Sequence, residues 1–350
     1  MTLNPLLLTA SHSLQPSDLI PIFDRMTRLK VGVIGDFALD VYFDYATQTG
    51  EQSLETGLPV HWGHQPRASL GAAGNVVQNL LALGVGQLWA IGCVGPDLFG
   101  REMRHLFGQQ GVCTDHLLTA NSGWDTCVYT KPMDGRAEAN RIDFGNRNHL
   151  SDSIFAQLID ALSGLLPQLD VLIINQQFGR PLLTPDRIEP LNNLIRQHPA
   201  VQFVADLRDS GLLMRGVTVK VNTAELARFL HLDAPENSDL NWCLEHGDTL
   251  SRRLTGPVVV TRGKAGMVCV GTAGVWSVEG LALPGPLDTV GAGDTVVATL
   301  AATLPAGANW PQSLAIANLA AAVTVQKLGQ TGTATPLEIR QLLTTYPLSA

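Results

Sequence analysis

The stretch from Asp288 to Leu304 reads DTVGAGDTVVATLAATL and joins residues of opposite character. Gly291-Ala292-Gly293 lets the backbone come close to a ligand, and Asp294 follows at once. A helix starting there leaves its first N–H groups without internal partners and turns the positive end of its dipole toward the glycines. Such donors hold phosphates and other anions. The carboxylate among them has two readings: a cap for a core helix, or a base that takes the proton from a hydroxyl during phosphoryl transfer. The local spacing leaves both open.

Other polar residues stand where polarity is costly. Asn75 lies between small and apolar residues in the helical segment GAAGNVVQNLLALG, and a buried amide needs partners. Asp40 sits among apolar neighbours in VGVIGDFALDVYF, again costly unless something binds it. Asn222-Thr223-Ala224-Glu225 has the form of a helix start, with Asn as N-cap and Glu three residues on.

Several common sites are excluded. The first strand ends in GDFALD, without the G-x-G-x-x-G of a dinucleotide fold. Gly263-Lys264 has Val258 where a P-loop needs its first glycine and Ala265 after the lysine. His61 and His64 lie in a strand-like segment, where that spacing sends the rings to opposite faces, and they read as surface residues. The five cysteines never approach C-x-x-C spacing and read as thiols in a reducing compartment.

The elements that must position these residues follow from hydrophobic rhythm. From Ser151 onward, helical patterns alternate with short apolar runs: DVLIIN, VQFVADL, GVTVKVN, PVVVTRG. That alternation predicts an α/β fold with a mostly parallel sheet between helices. VYFDYATQTG, LPVHWGHQPRA, CVYTKPM and EANRIDF instead alternate apolar with polar residues, as strands with one wet face do. They predict a small sheet standing off the body, built from insertions near 41–70 and 112–147. The 350 residues, 45% hydrophobic, read as a single domain spanning 1–350. A net charge of −8 offers no footprint for nucleic acid. The N-terminus lacks a positive leader, and apolar runs such as Thr295–Leu304 fall short of the ~20 residues that span a bilayer, so a cytoplasmic protein is expected.

DTVGAGDTVVATL resembles the C-terminal signature of the ribokinase-like (PfkB) carbohydrate kinases. GAAGNVVQNLLALGVGQLWAIGCVGPDLFG, from Gly71 to Gly100, is similar to their N-terminal signature. The segments VGVIGDFALDVYF, SLETGLPV, NRIDF and ANLAAAVTVQKLGQTGTATPLEI most resemble the kinases of D-glycero-D-manno-heptose 7-phosphate. The likeness runs from about Val31 to Ile339. It implies a ribokinase-like fold whose small sheet is a lid, ATP and Mg²⁺ as cofactors, a sugar or sugar-phosphate acceptor, and a homodimer formed through the lid.

Residue by residue, the resemblance implies that Asp294 is the general base and that Gly291, Ala292 and Gly293 build the anion hole with it. Asp36, Asp40, Gly71, Ala72 and Asn75 would face the sugar. Asn222, Glu225, Thr261, Arg262, Gly263, Gly266 and Asn318 would line the nucleotide, with Glu225 near Mg²⁺ directly or through water. Asp288 matches a residue that helps hold a monovalent cation such as K⁺ in some relatives. One segment departs from the pattern: where heptose kinases carry a sequence close to S-D-Y-x-K-G, this chain has Asn175-Gln176-Gln177-Phe178-Gly179-Arg180. An amide replaces the acid and an arginine the lysine, which puts the sugar's identity in question. For a sugar that already carries a phosphate, the candidate cations are Arg67, Lys131, Arg141, Arg180 and Arg208. The alternatives are a PfkB kinase acting on ribose, fructose phosphate or a nucleoside, and a catalytically silent binding protein on the same fold.

Overall fold

The computed structural model describes residues 7–9 and 14–346, except 48, 136, 236 and 330. The chain opens with strand β1 (Leu7–Thr9), helix α1 (Pro16–Met26) and strand β2 (Lys30–Gly35). It leaves the body through β3 (Phe37–Ala46), β4 (Trp62–Gly63) and β5 (Arg67–Ala72), then returns through α2 (Ala73–Ala82), β6 (Gln87–Val94), α3 (Leu98–Gln109) and β7 (Leu117–Thr119). A second excursion is made of β8 (Cys127–Asp134), β9 (Ala137–Glu138) and β10 (Asp143–Phe144). After it, α4 (Asp152–Leu165), β11 (Val171–Gln176), α5 (Ile188–Gln197), β12 (Gln202–Leu207), β13 (Thr218–Asn222), α6 (Thr223–Leu230), α7 (Leu240–Leu254) and β14 (Val258–Thr261) follow. The hairpin β15 (Met267–Gly271) and β16 (Gly274–Val278) precedes α8 (Ala292–Thr303), α9 (Trp310–Thr324) and α10 (Pro336–Thr345).

The main sheet has the order β1-β16-β15-β14-β13-β12-β11-β2-β6-β7. Its pairs are parallel except at the β14–β15–β16 meander. The central strands are unbroken apolar runs because both faces are covered. Val31, Val33, Val171 and Ile173 pack toward α1, α2, α8 and α9, while Ile34, Leu172 and Ile174 pack toward α4, α5 and α7. Neighbouring residues of one strand thus serve opposite layers. Gly35 is required where β2 meets β11, since a Cβ there would stand 2.1 Å from the Asn175 carbonyl oxygen.

The small sheet forms around β3, which pairs antiparallel with β5 and parallel with β8. Its members come from 37–72 and 127–144, so the second segment starts later than the expected 112. Leu117–Thr119 pairs in parallel with Gly92–Val94 at the edge of the main sheet. Three-residue strands carry too little alternation to show which sheet they join. LPVHWGHQPRA yields only the two-residue strand β4 and an isolated bridge from Pro59 to Gln52 before β5 begins at Arg67. Pro59 and Pro66 there lack the N–H that a ladder needs. His61 and His64 are exposed, in keeping with their reading as surface residues, and His61 stacks on Tyr45. Among the described residues no helix is long and apolar enough to cross a membrane.

Candidate active site

Because β2, β11, β12, β13 and β14 run parallel, their C-terminal ends share one edge of the sheet. Gly35, Asn175 and Asp206 lie in register across it, as do Asn222 and Thr261 further along. Chain reversals at such an edge leave side chains and helix starts facing one crevice, where open α/β sheets bind ligands.

The start of α8 belongs to this crevice. Gly291 is the N-cap with φ +81°, and a Cβ on it would stand 2.6 Å from Thr331 Cγ2. The Ala292 N–H turns back to the Thr289 carbonyl at 3.3 Å, while those of Gly293 and Asp294 have no partner among the described residues. Of the residues that the resemblance assigns to the anion hole, Gly293 and Asp294 thus keep an open amide. Asp288 closes the preceding loop, its carboxylate accepting the N–H of Val290 at 3.0 Å and of Gly329 at 3.2 Å. Beyond Asp294 the helix is buried on all sides, and its hydroxyls are satisfied within the core. Thr299 and Thr303 donate to carbonyls one turn back, and Thr295 donates to Asn79 Oδ1 at 2.8 Å.

Asp294 is 8% exposed, and its Oδ1 accepts a hydrogen bond from Gln177 Nε2 at 2.9 Å. Burial pushes its carboxyl up to about 7, with the Asp206 charge adding to the rise. Lys220, Gln177 and Asn75 pull the other way. Lys220 is the buried cation of the site: its Nζ lies 3.0 Å from Asp206 Oδ2 and 3.0 Å from where a Cβ on Gly293 would be. Burial disfavours that ammonium, but Asp206, Glu225 and Asp294 together hold its pKa above the ordinary lysine value. Lys220, Asp206 and Gln177 were not among the residues expected at the site. The available signal was a lysine inside the apolar strand TVKVN and an aspartate inside FVADL, each at a position where a charge needs a partner.

The residues expected to face a sugar gather where β3, β5 and α2 leave the body. Asp40 Oδ1 accepts from Lys131 Nζ at 3.0 Å across the β3–β8 pairing, and Lys131 also donates to the Tyr42 hydroxyl at 2.9 Å. Asp40 Oδ2 faces Gly71, where a Cβ would stand 3.1 Å away. Ala72 turns the chain into α2 with φ +53°, a strained value for a residue with a Cβ. Asn75 follows on the first turn, and its Oδ1 is buried without a partner among the described residues. Asp36 is fully buried, and its carboxylate accepts backbone N–H groups of the 177–182 loop. A cavity of about 280 Å³ lies between β8 and that loop, lined by Tyr129, Phe144, Phe178 and Arg180 among others. Arg141 stacks over Tyr129 at 5.2 Å and pairs with Asp143 at 2.8 Å.

The residues expected to line a nucleotide lie toward the other end of the edge. Asn222 and Glu225 form a reciprocal capping box, with both bonds at 2.8 Å, so the cap read from the sequence is present. One Glu225 oxygen is taken by that bond. Thr261 ends β14, and Arg262 Nε donates to the Ser238 carbonyl at 2.8 Å. Gly263 and Gly266 bound the short turn into β15. Asn318, on α9, donates to the Glu279 carbonyl at 2.8 Å. Among the described residues no three His, Cys, Asp or Glu side chains converge as a metal cage.

Residues 30–337 match the family described as pfkB family carbohydrate kinase. The chain belongs to that family. The chain is 31% identical over 325 residues to the bifunctional protein HldE of Paramagnetospirillum magneticum, covering 89% of this chain and 64% of that protein. It therefore spans less than two thirds of the length of that relative. It is 29% identical to the D-beta-D-heptose 7-phosphate kinase of Bordetella bronchiseptica, over 87% of this chain and 94% of the relative. Among solved structures it is similar to phosphofructokinase-2 from Escherichia coli in complex with potassium, with a TM-score of 0.71 at 16% identity over 91% of this chain and 99% of that one. That likeness shows the fold, which is ribokinase-like: a mostly parallel sheet between helices with a small curled sheet beside it.

Proposed function

We propose that the kinase transfers the γ-phosphoryl group of ATP to a hydroxyl of a phosphorylated sugar related to heptose 7-phosphate. The observation that carries the chemistry is Asp294: a buried carboxylate at a helix start, beside two unpartnered N–H groups and the Lys220 ammonium. Asp294 takes the proton as the hydroxyl attacks. The amides of Gly293 and Asp294, with Lys220, meet the charge that develops on the transferring oxygens. These donors are fixed before reaction, so no reorganisation is needed when that charge appears. Asp40, held by Lys131, and Asn75, with its unpartnered oxygen, face the sugar.

The small sheet serves as a lid, excluding water that would compete as acceptor. Asn222, Thr261, Arg262, Gly263, Gly266 and Asn318 line the nucleotide. Mg²⁺ usually keeps several waters and binds through one or two carboxylates together with substrate phosphates, which suits a site with few acids, and Glu225 is the carboxylate that the resemblance assigns to it. When bound it would neutralise phosphate charge. A monovalent cation such as K⁺ is assigned to the loop that Asp288 closes. Trp62, on β4 of the small sheet, is exposed, and we infer that this sheet joins two copies. Sedimentation should then show a dimer that Trp62→Asp dissociates, and a monomeric wild type would remove the inference.

Arg180 and Arg141 beside the 280 Å³ cavity favour a substrate that already carries a phosphate. Their planar forks match phosphate oxygens, and a dianion in a chain of net charge −8 needs local cations. ADP release measured across a panel of free and phosphorylated sugars tests this. Heptose 7-phosphate should be the best substrate, with a sugar KM that rises steeply with ionic strength and by about tenfold in Arg180→Ala. A free sugar preferred at a salt-independent KM would overturn the phosphate reading while leaving the sugar-kinase assignment in place.

A further inference from the structure

The segment after β11, residues 177–183, has no helix or strand of its own, so something outside it must fix its path. Asp36 does this. Its Oδ2 accepts the N–H of Gln177 at 2.9 Å and of Phe178 at 3.1 Å, and its Oδ1 accepts the N–H of Leu182 at 2.7 Å. The carboxylate is 1% exposed, and its oxygens already serve three backbone donors. Burial pushes the Asp36 carboxyl up to about 6, with those three N–H groups opposing the rise. The loop so held carries two side chains to the crevice. Phe178 meets the edge of Tyr129 in the cavity wall, with ring centroids 6.3 Å apart. Gln177 reaches Asp294 across 117 residues of sequence, Nε2 to Oδ1.

We propose that Asp36 and Gln177 are positioning residues for Asp294: Asp36 shapes the loop, and Gln177 holds one carboxylate oxygen so that the other is presented to the acceptor hydroxyl. This rests on the reading of Asp294 as the base. An amide donor suits that task, because it stabilises the ionised carboxylate and fixes its plane without adding charge. A carboxylate at 177 could only repel it. The groups facing Asp294 are Asp206 from β12, Lys220 from β13, Asn75 from α2 and Gln177 from the loop. Asp36 faces the loop amides and, across the small sheet, Cys127.

The test is a titration of protein labelled with ¹³C at the aspartate carboxyls, the Asp294 signal being assigned by its loss in Asp294→Asn. This readout needs no substrate. Gln177→Leu should raise the Asp294 midpoint by about one pH unit, and Gln177→Glu by more. Asp36→Asn places an NH₂ against backbone N–H groups and should shift the midpoint in the same direction. In parallel, kcat with ATP and heptose 7-phosphate should fall about ten- to a hundredfold in Gln177→Leu, with the KM for ATP unchanged. An unmoved midpoint, or a moved midpoint with unchanged kcat, overturns the proposal. If Asp36→Asn does not fold, the two Gln177 variants decide alone. Normal turnover in Asp294→Asn would instead refute the base, whatever the midpoints show.

Discussion

Replacing Asp294 by Asn should lower kcat about 10²–10⁴-fold while nucleotide affinity stays close to wild type, as measured by turnover and by ATP binding in parallel. The amide keeps the shape of the carboxylate but cannot accept the proton from the attacking hydroxyl. It also keeps the start of α8, because the cap there is Gly291 and the bond to Gln177 can reform on the amide oxygen. The same residue sets the pH dependence. Only the ionised form serves as a base, and burial raises the carboxyl to about 7, so kcat/KM should fall as pH drops through about 7. The stability sign is the reverse. A carboxyl raised above its unfolded value of 3.8 favours the folded chain at low pH, and that contribution is lost as pH rises through about 7. Full activity in Asp294→Asn would make this residue no more than part of a helix start.

Lys220→Met should reduce kcat about 10²–10³-fold and also destabilise the fold by about 3–5 kcal/mol. Two effects act together. The methionine removes the cation beside Gly293, and it leaves Asp206 buried without its 3.0 Å partner. The double variant Lys220→Met/Asp206→Asn separates them, since neutralising Asp206 removes the unpaired charge. Thermal unfolding should show the melting temperature largely restored in the double variant, while kcat stays low. A double variant that recovers turnover would show that Lys220 serves only as the partner of Asp206.

Much of this site was legible because its signals are local. Gly291 and Asp294 are three residues apart, and their types alone require a helix start with exposed amides. Asn222 and Glu225 specify a capping box in the same way, and unbroken runs such as VLIIN specify strands covered on both faces. A helix start or a buried strand is decided within one or two turns of chain, so residue type and spacing suffice. The order of the strands, the start of the second insertion at 127 and the placement of Leu117–Thr119 in the main sheet depend on which edges remain open once everything else has packed.

The electrostatics of Asp294 depend on residues distant in sequence. Gln177 is 117 positions away, and Lys220 and Asp206 reach it only because β12 and β13 lie side by side under the start of α8. Asp36 shows the limit most plainly. The resemblance implied that it faces the sugar, yet its oxygens go to backbone amides near positions 177–182. What the sequence alone determined was the helix start at Gly291–Asp294, the Asn222–Glu225 cap and the helices and strands that carry them. Which groups stay free for a ligand was decided only by tertiary structure, because a buried carboxylate or amide takes whatever partner the packing brings within hydrogen-bond reach.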